Sequence, residues 1–207
     1  HNVNLLAAAL LARVGAATGE PRLLGLAREI IEFSIRRQND DGSWFYGESA
    51  NQRWTDNFHT GFSLVALSRY ARYSEDHTFR GATEKARAFW EANFFDPEGA
   101  PKYYPRQKYP LDAHSAAQAI LTHLEFSGDD PQALPKARRM AAWALQNIWS
   151  NEGFFYFQIH RFYTIRIPYL RWSQAWMFYA LSALLERAQA SSPLTAVTAP
   201  ASVQSDL

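Results

Sequence analysis

Cysteine is absent from the 207 residues, which excludes disulfides and thiolate metal sites. No apolar run approaches the roughly 18 residues that a membrane span requires. Neither sign of charge dominates: 21 Lys and Arg stand against 20 Asp and Glu, a net charge of +1. That balance gives no electrostatic case for nucleic acid or an acidic membrane surface as partner. P-loop, GxGxxG and GxSxG sequences are missing, and so is HExxH or any comparable local ligand spacing. No metal and no cofactor are therefore expected.

What is present is a globular composition, 47% hydrophobic and 20% charged, in a chain long enough for one substantial core. Aromatic residues make up 15%, with seven Trp and ten Tyr. A core absorbs part of these. Sugar-binding surfaces also use them, because a flat ring lies against the apolar face of a pyranose.

The chain repeats itself. Polar residues precede an apolar helix four times: His1-Asn2-Val3-Asn4 before 5–14, Trp54-Thr55-Asp56-Asn57-Phe58-His59 before 61–70, Leu111-Asp112-Ala113-His114 before 116–126, and Arg171-Trp172-Ser173-Gln174 before 175–185. Asp56 and Asp112 lie 56 positions apart, and Asp112 and Arg171 lie 59 apart. More polar helices are expected between them, over 21–37, 79–94 and 131–149. Pro21 and Pro131 suit a first helical turn, where the missing N–H costs nothing. Each of these helices runs into a Gly-containing aromatic turn, at Gly42-Ser43-Trp44, Gly99 to Tyr104 and Gly153-Phe154-Phe155. Stacked hairpins with this period predict an all-α fold, an α/α toroid of repeated helical hairpins. The chain enters a helix almost at once, so the expectation is an incomplete ring over 1–190, cut from something longer at its N-terminus. The Ser-, Pro- and Thr-rich stretch 191–207 is expected to be a disordered tail.

A ring brings the inner-helix N-termini to one mouth, where free N–H groups also welcome anions. Asp56, His59, Asp112 and His114 are the candidate catalytic residues. Asn4, Trp54, Asn57, Tyr103, Tyr104, Gln118, Arg171, Trp172 and Gln174 are candidates for binding substrate. The two aspartates equally suit helix N-caps, the histidines satisfied core positions, and the tryptophans the core. Two carboxylates facing a cavity can act as acid and base on a glycosidic bond. Histidines can remove and return a proton beside a carboxyl group, and an Arg fork matches a uronate carboxylate.

Three passages together resemble a bacterial polysaccharide-biosynthesis family of the VpsJ type: Gln38 to Trp44 followed by Asp56 to Gly61, Pro101 to Tyr104 followed by Asp112 to Gln118, and Tyr169 to Trp176. The resemblance covers about 2–186. It implies an α/α toroid and a setting in exopolysaccharide synthesis, without an established reaction. Gln38-x-x-x-Gly42-x-Trp44 is similar to the QW repeat of squalene and hopene cyclases, but their DxDD acid motif has no counterpart here. N-acylglucosamine 2-epimerases, toroidal uronyl hydrolases and the end of glucuronyl C5-epimerases are similar only at the level of the fold and of Pro168 to Trp172.

Three functions are open at this point. One is an epimerase, lyase or hydrolase acting on a sugar or uronate. Another is a non-catalytic glycan-binding or scaffold subunit of a polysaccharide assembly, whose proteins would be its partners. The third is an isoprenoid cyclase-like protein, which requires a dry aromatic cavity. The expected partner is a saccharide or polysaccharide and the expected compartment the cytoplasm.

Overall fold

The computed structural model describes residues 1–190, and the stretch expected to be a disordered tail lies outside them. Seven α-helices account for most of the described residues: α1 (Asn2–Thr18), α2 (Pro21–Ile35), α3 (Asn57–Ser74), α4 (Arg80–Asn93), α5 (Ala113–Glu125), α6 (Ala133–Asn147) and α7 (Ala175–Ala190). They pair as hairpins, α1 with α2, α3 with α4 and α5 with α6. The first members, with α7, form an inner row in the order α1, α3, α5, α7. Because one outer helix lies between each inner helix and the next, all four point the same way and their N-termini share one end. This is the expected all-α toroid architecture. None of the described helices is long and apolar enough to cross a membrane.

Composition decides which helix is enclosed. In α5, Ala113, Ala116, Ala117 and Ala119 are all buried, and these small side chains let α3 and α7 flank it closely. Gly61 makes the same allowance on α3, where an added Cβ would stand 2.6 Å from the Gln118 Cγ on α5. Leu64, Leu67, Ile120 and Trp90 lie in the core between the rows. Each aliphatic side chain there contributes about 1.5–3 kcal/mol. The two ends of the row are different. Val3, Leu6, Leu10 and Val14 on α1, and Phe178 and Leu185 on α7, remain exposed.

The local start and stop signals act much as the sequence implies. Gly19 closes α1 in the left-handed conformation and Pro21 opens α2 at its first turn. Pro131 behaves differently from expectation, since α6 begins at Ala133. The Asp130 carboxylate accepts the Gln132 N–H at 2.8 Å and its carbonyl accepts from Ala133, so a capped turn precedes the helix. The hairpin ends are stapled. The Gln38 amide donates to the Gly42 and Ala82 carbonyls at 2.9 and 3.0 Å, and the buried Trp44 indole donates to the Ser34 carbonyl at 2.7 Å. Gly42 has φ +93°, and an added Cβ would meet the Lys85 carbonyl oxygen at 2.5 Å. Gly42→Ala is therefore expected to cost about 2–3 kcal/mol in urea unfolding, from the unfavourable φ and from backbone displacement.

One feature departs from the all-helical expectation. A small antiparallel sheet joins β1 (Leu111–Asp112), β2 (Gln158–Ile159) and β3 (Thr164–Ile165), with Asp112 opposite Gln158 and Ile159 opposite Thr164. It ties the loop after α6 to the start of α5.

Candidate functional site

The mouth at the inner-helix N-termini is built from the loops that connect outer helices back to inner ones. Asp56 is the N-cap of α3, and its Oδ1 accepts the His59 backbone N–H at 3.0 Å. Its Oδ2 takes the His59 Nδ1 at 2.7 Å and the Trp54 indole N–H at 3.2 Å. A carboxylate held this way keeps the imidazole proton on Nδ1 and leaves Nε2 as the acceptor. The His59 ring is partly exposed and packs on Tyr46, with centroids 4.7 Å apart, while Tyr46 stacks on Trp54 at 4.7 Å. Asp56 and His59 also line a narrow crevice with His1, Tyr46 and Thr60.

Asp112 caps α5 in the same manner, its Oδ1 accepting the Ser115 N–H at 2.8 Å. Its Oδ2 accepts from the Gln158 amide at 3.0 Å, and the Gln158 oxygen lies 3.1 Å from the His160 Nε2. Burial pushes the Asp112 carboxyl up to about 6, against the hydrogen bonds from Gln158 and Ser115. Tyr103 stands between the two caps. Burial, then the charges of Asp56 and Asp112, push its phenol well above the ordinary value. Tyr104 packs beside it at 4.6 Å and is raised by burial and by Asp56.

His114 lies in an aromatic sandwich, 4.3 Å from the Phe58 ring and 4.7 Å from Trp176. Its Nε2 is buried without a hydrogen-bond partner among the described residues. Burial pulls it down to about 3, with lesser contributions from the charges of His59 and Arg171. His59, His114 and Arg171 thus belong to one electrostatic neighbourhood.

These shifts give a pH test of opposite signs. Below its ordinary 6.5, the unfolded chain protonates His114 while the folded chain does not, so that contribution is lost as pH falls. Asp112 holds its proton in the folded state from its ordinary 3.8 up to about 6, so its contribution is lost as pH rises through that window. On going from about pH 7 to about pH 4.5, His114→Phe is expected to lose less urea stability than the parent chain, and Asp112→Asn to lose more. Parallel behaviour of all three proteins would refute both assignments.

The other candidates separate by position. Trp54 and Trp172 are exposed, 37% and 47%, and Tyr104 is half-buried, so these remain on the surface of the mouth rather than in the core. Arg171 is exposed within a short π-helical turn, Leu170–Gln174, and Asn4 is exposed on α1. Three residues turn inward instead. Asn57 is fully buried; its amide donates to the Lys102 and Phe94 carbonyls at 2.9 and 3.4 Å, and its oxygen accepts the Trp90 indole N–H at 2.8 Å. Gln174 clamps both backbone polar groups of Phe155, at 2.9 and 2.6 Å. Gln118 is buried a turn into α5, donating to the Thr122 hydroxyl at 3.1 Å. Asn57 and Gln174 satisfy loop backbone, and that use takes them out of the mouth.

Tyr46, Gln158 and His160 complete the site without having been singled out from the sequence. The alternation through Gln158, Ile159 and His160, and then Thr164, Ile165, Arg166 and Ile167, is the pattern of a short hairpin and carries the missed signal. Among the described residues no group of three or more His, Asp or Glu is placed to hold a metal ion.

No protein-family model matches the chain, and no curated protein sequence matches it. Solved structures do match. An inactive variant of the GH76 α-1,6-mannanase of Salegentibacter sp. HEL1_6, in complex with α-1,6-mannotriose, superimposes with a TM-score of 0.73 at 14% identity, over 90% of this chain and 54% of that one. The unsaturated glucuronyl hydrolase of Bacillus sp. GL1 gives 0.68 at 17% identity, over 90% and 58%. A GH76 α-mannanase of Bacteroides thetaiotaomicron gives 0.65 at 12%, over 92% and 52%. These neighbours are six-hairpin α/α-toroid, glycosidase-like folds. At such identities the likeness is one of fold, and the chain spans little more than half the length of each neighbour.

Proposed function

We propose that the chain acts on carbohydrate, as an acid–base enzyme working on a sugar or uronate in polysaccharide biosynthesis or modification, in keeping with its resemblance to the VpsJ type. The cytoplasm as its compartment belongs to the same reading, as does a single toroid unit over 1–190. The observation that carries it is the buried Asp56 carboxylate 2.7 Å from the Nδ1 of a partly exposed His59, at the end of the fold where three inner-helix starts bring polar side chains together.

The chemistry follows from the tautomer. With its proton held on Nδ1, His59 offers Nε2 as a base. Beside a uronate carboxyl it would take the proton from the adjacent carbon, and the electron pair would pass into the carboxyl group, whose charge the Arg171 guanidinium would balance. Delivery of a proton to the other face by a second acid, with His59 returning its own proton to solvent, is epimerisation; loss of the neighbouring oxygen, protonated as it leaves, is elimination. Asp112, held near 6, is the group that would supply a proton to a departing oxygen. Trp54, Tyr104 and Trp172 offer faces for sugar rings.

A second reading has its own support. Asp56 and Asp112 are each only 1% exposed, with one oxygen capping a helix and the other held by a neighbouring side chain, as in residues of a non-catalytic glycan-binding subunit. Incubation of an oligosaccharide panel in deuterium oxide, with mass spectrometry of the recovered sugars, separates the two. Cleavage, unsaturation or one incorporated deuterium supports the enzyme; sugars bound and returned unchanged support the binding subunit.

A further inference from the structure

Between Glu152 and Glu186 the chain has no acidic residue over thirty-three positions, although the whole chain is nearly neutral. Arg161, Arg166 and Arg171 fall within that stretch, and all three are exposed. Several arginines elsewhere are paired: Arg28 with Asp76, Arg69 and Arg72 with Glu125, Arg80 with Glu84, and Arg87 with Asp130. The three in the stretch make no ion pair among the described residues. Arg161 instead lies over the Phe162 ring at 5.0 Å and Arg166 over Tyr156 at 5.4 Å. Phe162 at the hairpin tip is 85% exposed.

This basic, aromatic surface is anchored to the mouth. The hairpin of β2 and β3 is hydrogen-bonded to the Asp112 segment through β1, and Gln158 at its root bonds the Asp112 carboxylate. Arg171 is near enough to His114 to act on its charge. The arginines therefore begin at the mouth and continue outward along the hairpin.

The geometry points to the β2–β3 hairpin as a binding arm for an anionic glycan, with Arg161 and Arg166 holding acidic sugar units that extend beyond the mouth. Guanidinium forks match carboxylate or sulfate oxygens two at a time. The interleaved rings match the apolar faces of the same units. Nucleic acid is disfavoured by the near-zero net charge, and a lipid surface would leave the hydrogen-bonded polar root at Asp112 and Gln158 without a purpose. This inference rests on the carbohydrate reading of the mouth and narrows its substrate to acidic chains.

The test is calorimetric titration of the full chain with hexagalacturonate and with maltohexaose, in the parent protein and in Arg161→Ala/Arg166→Ala. Both positions are exposed, so the double variant is expected to fold as the parent does. The parent is expected to prefer the uronate hexamer, with affinity falling as salt rises. The double variant is expected to lose roughly tenfold or more of that affinity and none of its affinity for maltohexaose. Equal uronate affinity in parent and variant, or no preference for the acidic hexamer, overturns the arm while leaving a saccharide site at the mouth. Failure to bind either sugar overturns both readings together. Tighter binding to phosphatidylglycerol vesicles than to the hexamer, lost in the double variant, would assign the hairpin to a membrane surface and overturn the glycan arm.

Discussion

Replacing His59 with alanine is expected to lower turnover of an accepted uronate oligosaccharide by about 10²–10⁴-fold, the range for loss of a positioned acid–base group. The unfolding transition should drop as well, by about 1–3 kcal/mol, because the buried Asp56 Oδ2 loses the imidazole and keeps only the Trp54 indole N–H. Asp56→Asn should act through the same atom. An amide cannot hold the Nδ1 proton as a carboxylate does, so turnover should fall while the cap to the His59 N–H at 3.0 Å persists through the remaining oxygen. The two substitutions should be far from additive, since they disable one unit. Steady-state rates of the two single variants and the double variant, with thermal melts alongside, measure this. Full turnover in His59→Ala would remove the dyad from the mechanism.

The largest effect on stability is expected at Asn57. Alanine there would strand the Trp90 indole N–H and the Lys102 carbonyl inside the protein, while the Phe94 carbonyl keeps the Lys102 N–H at 2.9 Å. Each buried orphan costs about 1–3 kcal/mol, so a loss of about 3 kcal/mol or more is expected. For a chain of this size that lowers the melting temperature by roughly 6–12 °C. Trp90→Phe orphans only the Asn57 oxygen and should cost less. If Asn57→Ala melted with the parent but lost sugar affinity, the side chain would belong to the mouth after all.

The architecture was legible because its signals are periodic. Inner helices rich in alanine, outer helices with one polar face, and a Gly turn after each outer helix recur with nearly constant spacing, and the structure places each helix within a few residues of its expected span. The site was legible in part. An Asp followed by a His at the head of two repeats marks both caps, but it does not distinguish their fates. His59 meets a carboxylate and remains partly exposed, whereas His114 is pressed between Phe58 and Trp176. That difference depends on residues from other repeats, which local spacing does not encode. From the sequence alone, the polarity of Asn57, Gln118 and Gln174 implies outward-facing side chains. The loop carbonyls and amides that two of them satisfy, at Lys102 and Phe155, come from distant stretches of chain. The β2–β3 hairpin is not readily legible in the sequence, because its strands are two residues each, too short to stand out against the helical period.

The measurement that bears most directly on the central claim is side-chain NMR of the six histidines while an oligosaccharide hit is titrated in. His59 and His114 stand at the mouth, whereas His77 lines a groove formed with the C-terminal ends of α3 and α5. The His59 and His114 resonances are expected to shift with the sugar while the His77 resonance stays in place. Shifts confined to His77, or saturation of binding with His59 and His114 unmoved, would contradict a carbohydrate site at the mouth.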